Sequence, residues 1–392
     1  MICFDAAMAL LKQHVAALGS EMVALEDAAG RILAEDLVAA LASPRLTVSA
    51  MDGYAVTEAG LEPGRALWIA GEARPGKAYE ARLAPGEAVR IFTGAPLPDG
   101  ADRVIMQECA QRDGETVRFA KGHGPARHVR IAGSDFAKGD VLLAKGTRLG
   151  PKALVAAAAG DSGRVLVGSR PRVAVLATGD ELTDPGRARY EPNAIPDTIS
   201  PALAALVQTG GGSVVARHRA QDDLPALEKR AGELLGTADL IVVTGGASVG
   251  ERDFAKPMFA AHGLELIFDK VAIKPGKPVW LGRVGPSTVL GLPGNPTSAM
   301  VTARLFLVPL LALLQGGAGE HHWRAMPLAL DLPETGDRET FARASWEEDG
   351  LRPLGNQDSG VQGGLVRADW LIRCPPGQAK RVAGETVRAI RF

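Results

Sequence analysis

Apolar positions near the start of the chain fall at helical spacing. From Phe4 to Leu41, Ala7, Leu10, Leu11, Val15 and Leu18 share one face and Gly19 offers a stop, which predicts an α-rich opening. From about Ser43 to Asp140 the pattern shortens to β-like runs, Arg65–Ala70, Ala88–Phe92, Arg103–Gln107 and Thr116–Phe119, separated by Pro-Gly, Asp-Gly and Gly-Lys turns. A small β domain is expected there. Ala153–Gly160 is helical and alanine-rich again, so the opening unit is expected to be completed after a β insertion.

Between Pro171 and Gly316 strands and helices alternate. Arg172–Ala177 and Asp239–Val243 are continuous apolar runs, Ser213–Arg217, Glu265–Phe268, Val279–Leu281 and Thr288–Leu290 are strand-like, and Pro201–Thr209 and Leu224–Leu235 are helical. This pattern predicts right-handed βαβ units in a doubly wound parallel sheet with helices on both faces. The most apolar stretch, Ala299–Leu314, carries Arg304 and Pro309 and is shorter than the ~20 residues of a membrane span, so a buried helix is expected. After Gly316, Met326–Leu330, Thr340–Ser345, Trp370–Arg373 and Glu385–Ile390 predict a compact β-barrel or sandwich. The fold class is therefore multidomain α/β: an α-rich unit over 1–42 and 141–170, an inserted β domain over 43–140, the α/β domain over 171–318 and a C-terminal β-barrel over 319–392.

Composition narrows the function. Forty-four Lys+Arg against 45 Asp+Glu leave a net charge of −1, and 5% aromatic residues are too few for a base-stacking platform, which argues against nucleic-acid binding. Cys3, Cys109 and Cys374 are odd in number and far apart, which fits a reducing cytoplasm better than a disulfide framework or a zinc site. Met1–Leu18 contains Asp5 and Lys12 and has no basic leader, so no signal peptide is expected.

In open α/β sheets ligands sit beyond the carboxyl ends of the strands. Three loops there carry chemistry. Thr178-Gly179-Asp180-Glu181 sets a turn glycine beside two carboxylates. Thr244-Gly245-Gly246-Ala247-Ser248-Val249-Gly250-Glu251-Arg252-Asp253 offers backbone N–H groups to an anion and Asp253 to a cation. Gly291-Leu292-Pro293-Gly294-Asn295-Pro296-Thr297-Ser298 leads into a helix N-terminus. Glu251 and Arg252 stand where a P-loop needs Lys and Ser/Thr, which disfavours Walker-type ATPase chemistry. Lys270, Lys274 and Lys277 supply cations, and on a strand Lys270 and Lys274 would share a face. Asp222, Asp253 and Glu181 are the carboxylates a magnesium–phosphate site needs, although Asp222 or Asp223 could instead cap the helix beginning at Leu224. His321-His322 has no third ligand nearby in sequence and reads as structural, and Asp52-Gly53 reads most simply as a turn.

As an ordered set, Ser49-Ala50-Met51-Asp52-Gly53-Tyr54-Ala55-Val56, Thr93-Gly94-Ala95-Pro96, Gly100-Ala101-Asp102, Thr178-Gly179-Asp180-Glu181-Leu182, Thr244 to Gly250, Lys274-Pro275-Gly276-Lys277-Pro278 and Gly291 to Pro296 resemble the MoeA-type molybdopterin molybdenumtransferases, relatives of the gephyrin E domain, over essentially the whole chain. The resemblance implies a MogA-like α/β domain and insertion of molybdate into adenylylated molybdopterin with release of AMP, dependent on Mg2+. It implies that Gly179, Asp180, Gly245, Gly246, Ser248, Lys270, Lys274, Lys277, Pro293, Gly294, Asn295, Pro296, Ser298, Arg343 and Ser359 bind substrates, and that Glu181, Asp222 and Asp253 hold the metal. It further implies a cytoplasmic homodimer, with the unit over 1–42 and 141–170 as its dimerisation unit, in which Asp52, Thr93 and Asp135 join the site from the partner subunit. Transient contact with the molybdopterin adenylyltransferase and with cofactor-accepting enzymes is implied as well, with no nucleic acid and no membrane. Ile199 stands where many members have Asn, and Asp358 and Asp369 where Gly and Asn are common, so altered contacts are expected there. The alternative functions are molybdopterin adenylylation and a non-catalytic scaffold that holds the cofactor.

Overall fold

The computed structural model describes residues 1–62, 64–245 and 253–392. Alternation along the strands produces the layers of the central unit. In Arg172–Thr178 and Leu240–Thr244, the side chains of Val173, Val175, Leu240 and Val242 pack into one core, and those of Ala174, Leu176, Ile241 and Val243 into another. The first core is closed by the helices Phe4–His14, Ile199–Thr209 and Pro296–Leu314 through Phe4, Leu11, Leu203, Val207, Leu307 and Leu311. The second is closed by Leu224–Leu235 and Pro257–Ala260 through Leu227, Leu234, Met258 and Phe259.

The sheet runs Ser213–Ala220, Arg172–Thr178, Leu240–Thr244, Ser287–Leu292, Trp280–Val284, Glu265–Phe268. Its first four strands are parallel, as expected. Trp280–Val284 runs antiparallel to both its neighbours, Ser287–Leu292 and Glu265–Phe268, so the sheet is mixed, which corrects the expectation of a wholly parallel one. Only Gly285-Pro286 separates Trp280–Val284 from Ser287–Leu292, and a two-residue link can make a hairpin but not a crossover.

The opening is less helical than its spacing predicts. The helix ends at His14, and Ser20–Ala24 is a strand paired antiparallel with Arg164–Gly168. Helix Phe4–His14 buries Phe4, Ala7 and Leu11 against the α/β domain, not against its own neighbours in sequence. The remaining opening segments close a separate core with residues from beyond the insertion: Ala28, Leu33 and Leu37 meet Leu149, Ala157, Val165 and Val167. The insertion is a six-stranded sheet ordered Arg103–Met106, Gly53–Val56, Glu87–Ile91, Leu67–Ala73, Thr116–Phe119, Ala110–Asp113. Tyr54 and Val56 pack on one face of it and Ala55 on the other.

The C-terminal sheet is open and barrel-like, ordered Ile273–Lys274, Glu339–Glu347, Trp370–Cys374, Thr386–Arg391, Arg324–Pro327, with Gly350–Pro353 also paired to Glu339–Glu347. Its first strand is contributed by the α/β domain. Between the two domains runs the helix Pro296–Leu314, long and apolar enough to cross a membrane but with 72% of its most apolar window buried in the fold. It contains a π turn over Ala303–Leu307. Pro309 has no N–H to give the Leu305 carbonyl four residues earlier, a sufficient local cause for the irregularity. The His321 ring lies beside that carbonyl and stacks on Phe4 at 5.6 Å between centroids.

Candidate active site

The strand-end loops converge because glycine lets them touch. Gly245 has φ +92°, and a Cβ there would lie 2.2 Å from the Thr178 carbonyl oxygen, so no larger residue fits without displacing backbone. Gly294 approaches in turn, since its Cβ would stand 3.4 Å from the Gly245 Cα. These contacts enclose a cavity of about 740 Å³ lined by Gly179, Glu181, Asp222, Gly245 and Pro293–Pro296, with Ile195–Ile199 on one side and Gly360 and Gln362 of the C-terminal domain on another. A volume of this size suits a nucleotide- or cofactor-sized ligand.

The carboxylates sort by local hydrogen bonding. Asp223 caps the helix Leu224–Leu235 by accepting from the Ala226 N–H at 3.4 Å, which leaves Asp222 facing the cavity. Asp180 accepts from the Asp222 N–H at 3.0 Å and so ties the first loop to the second carboxylate. Glu181 and Asp222 thus come to one cavity. Asp253 is not among the described residues lining it: its carboxylate accepts from the Ala255 N–H at 3.3 Å and lies close to Lys256, Asp269 and Lys270. Burial raises the Asp253 pKa, with the nearby cations opposing. Among the described residues no three His, Cys, Asp or Glu side chains group as a metal site. Two carboxylates nonetheless suffice for magnesium, which takes one or two from protein and the rest from water and phosphate oxygens. Gly246 and Ser248 lie outside the described residues.

The lysines do not share a strand. Lys270 precedes the bridge of Val271 to Ile2, whereas Lys274 belongs to a two-residue strand pairing with Thr340 of the C-terminal domain. The chain turns between them, the Ile273 N–H donating to the Val271 carbonyl at 2.8 Å, so Lys270 to Lys274 is not one continuous strand. Lys274 and Lys277 are exposed on the following turn, whose Pro278 lines the cavity. Gly276, at φ +105°, seats the turn against the long helix, where a Cβ would come within 2.2 Å of the Thr302 methyl.

The C-terminal wall is bonded directly to the third loop. Asn295 Nδ2 donates to Ser359 Oγ at 3.2 Å and Thr297 Oγ1 to the Val361 carbonyl at 2.7 Å. Arg343 has a different role from the substrate contact implied by resemblance. It is fully buried and donates to Gln357 Oε1 and to the carbonyls of Asn356, Asp358 and Val361, so it shapes the loop that carries Ser359 and Gly360. Asp358 also turns inward, accepting from the Gly360 N–H at 2.7 Å. Ser298 is buried in the first turn of the helix, and Ile199 joins the hydrophobic core while lining the cavity. Gln362 also lines the cavity, and the glycine-rich run Gly360-Val361-Gln362-Gly363-Gly364 is its local signal in the sequence.

In the insertion, Asp52 Oδ1 accepts from both the Thr93 N–H at 2.7 Å and the Thr93 hydroxyl at 2.8 Å. These bonds, led by the backbone one, lower the Asp52 pKa. Asp135 is exposed and its own N–H donates to the Ser43 carbonyl, on a different segment of the insertion.

An α/β unit flanked by β units, with a cavity beyond its strand ends large enough for a cofactor-sized ligand, defines a protein that handles such a ligand. The family model for the MoeA N-terminal region (domains I and II) matches residues 2–160, that for a probable molybdopterin-binding domain matches 174–313, and that for the MoeA C-terminal region (domain IV) matches 325–392. A molybdopterin molybdenumtransferase of Haemophilus influenzae is 34% identical over 99% of this chain and 98% of its own length. Molybdopterin molybdenumtransferase 2 of Mycobacterium tuberculosis is 35% identical over 82% of each chain. The crystal structure of a molybdopterin biosynthesis MoeA protein from Pyrococcus horikoshii superposes with a TM-score of 0.85 at 26% identity, covering 100% of both chains. The chain belongs to the MoeA family of molybdopterin molybdenumtransferases, and is a transferase of molybdenum cofactor biosynthesis.

Proposed function

We propose that the protein inserts molybdate into adenylylated molybdopterin and releases AMP, with magnesium as the metal. The observation that supports this best is the convergence of Glu181, Asp222, three glycine-bearing loops and the Ser359–Gln362 loop on one cavity. Glu181 and Asp222 would hold magnesium against the pyrophosphate bridge; when bound, the metal supplies charge neutralisation on the phosphoryl oxygens. The N–H groups of Thr297 and Ser298, in the first turn of a helix, have no partner within it and face anions favourably, as do Lys274 and Lys277 at the rim. Molybdate, a tetrahedral dianion, suits the same donors. Asp253, close to Lys270, would be a further carboxylate for the metal, as the resemblance implies.

The protein would act as a cytoplasmic homodimer, its Asp52, Thr93 and Asp135 completing the partner's site. Asp52, held ionised and oriented by Thr93, is a carboxylate ready to meet a metal or a donor that its own domain does not supply. All three cysteines are free, in keeping with a reducing compartment. The test incubates purified protein with adenylylated molybdopterin, molybdate and magnesium and follows AMP. Molybdate-dependent AMP release is expected; its absence rejects the proposal, and consumption of ATP with free molybdopterin would indicate adenylylation instead.

A further inference from the structure

An arginine braces the Asp52–Thr93 corner of the insertion. Arg90 stands opposite Tyr54, where Gly53–Val56 pairs with Glu87–Ile91. Its Nη1 donates to the Gly53 carbonyl at 2.9 Å and its Nη2 to Gln107 Oε1 at 2.6 Å. Gln107 in turn donates its own N–H to the Asp52 carbonyl at 3.0 Å. The guanidinium also lies over two rings, 4.7 Å from the centroid of Phe92 and 5.2 Å from that of Tyr54. Arg90 therefore holds the residue after Asp52 and the residue before Thr93, the two neighbours of the hydrogen-bonded pair. Arg74 lies over the same Phe92 ring at 5.8 Å but is paired with Glu72, whereas Arg90 makes no ion pair among the described residues. Both Thr93 donors meet Asp52 Oδ1, and Oδ2 has no hydrogen bond among the described residues.

On the reading that Asp52 completes the partner's site, we infer that Arg90 is a positioning residue of that site: it locks the Asp52–Gly53 turn against the Phe92–Thr93 segment, so that Asp52 Oδ2 is offered to the partner subunit in one orientation. Arg90 touches no substrate and acts through Asp52 alone. Its charge also adds, after the two Thr93 bonds, to what lowers the Asp52 pKa. Lysine cannot take its place. An ammonium is a point charge without the planar fork that reaches a carbonyl and an amide oxygen while its faces rest on two rings.

The test is a double-mutant cycle on the full-length protein, read by AMP release and by the NMR signal of the Thr93 amide, which donates to Asp52. Arg90→Lys is expected to lower kcat/KM about tenfold in the wild-type background and less than about twofold in Asp52→Ala, because the carboxylate it serves is then gone. It is also expected to shift the Thr93 amide toward its position in Asp52→Ala. Guanidinium chloride at millimolar concentration raises AMP release by Arg90→Ala, and sodium chloride at the same concentration does not. An equal loss from Arg90→Lys in both backgrounds would mean that Arg90 serves the fold and not Asp52, and would overturn the inference. So would a Thr93 amide that stays in place in Arg90→Lys, or an Arg90→Ala variant that guanidinium leaves unchanged. Wild-type AMP release by Asp52→Ala is a separate result: it removes the shared-site reading itself, and with it the site that Arg90 would serve.

Discussion

The α/β cavity and the Asp52–Thr93 corner of the insertion hold carboxylates in opposite ways. The cavity is walled on several sides by two domains, and its members are fixed by contacts reaching across the chain, such as Asn295 to Ser359 and Asp180 to Asp222. The corner is open, and the Asp52 carboxylate is held by two hydrogen bonds from Thr93, with the Arg90 guanidinium nearby. The difference teaches that a group with a low pKa and a defined orientation can be prepared without burial when two donors converge on one oxygen. Asp253 shows the converse, since burial there raises the pKa.

Whether the two regions form one site can be broken open by complementation. Asp222→Asn and Asp52→Ala are each expected to lower AMP release about a hundredfold. If the site is shared across a two-fold dimer, refolding the two variants together restores about a quarter of wild-type activity, because half the dimers are mixed and each carries one intact site. No recovery in a mixture shown to exchange subunits would mean that the corner serves its own subunit or no site at all. Next in size, Gly245→Ala is expected to destabilise the chain by about 2 kcal/mol or more, since it adds both strain at positive φ and a clash with the Thr178 carbonyl. Urea denaturation measures this, and an unchanged midpoint would contradict the close approach of the loops.

Acid stability separates the scaffold from both regions. Burial, with Arg304 and Arg373 nearby, lowers His321 to about 4 from its usual 6.5. The unfolded chain therefore binds the proton first as pH falls, and this ring costs stability progressively between pH 6.5 and about 4. His321→Phe is expected to flatten that part of the stability profile, by about 3 kcal/mol at pH 4, and to leave the profile above pH 7 unchanged. Smallest, Thr93→Val should raise the Asp52 pKa by removing the hydroxyl donor while its backbone donor remains, and a carboxyl-carbon NMR titration reads the shift. No upward movement would show that the backbone bond alone sets it.

The three cavity loops were legible because each follows an apolar strand and carries a turn glycine, a local signal. Membership of the family was legible for the same reason, from motifs in order. What lay hidden depends on pairing across long separations. Ser20–Ala24 becomes a strand only because Arg164–Gly168 returns beside it, and helical spacing in Val15 and Leu18 gave no hint of that. Arg343 looked like an anion ligand because an arginine's donors are anonymous in sequence; its carbonyl partners in the Asn356–Val361 loop decide its role. Choosing between Asp222 and Asp223 as helix cap needed one hydrogen bond, to Ala226, that two adjacent aspartates could each have made on paper.

The pairing of Ile273–Lys274 with Glu339 and Thr340 ties one end of the lysine turn to the C-terminal sheet. Any swing of that sheet away from the α/β domain would pull Lys274 off the rim at the same time as it withdraws Ser359 and Gly360 from the wall. Such a movement would act on the Lys274 end of the turn, while Gly276, packed on the Thr302 methyl, keeps the Lys277 end with the long helix.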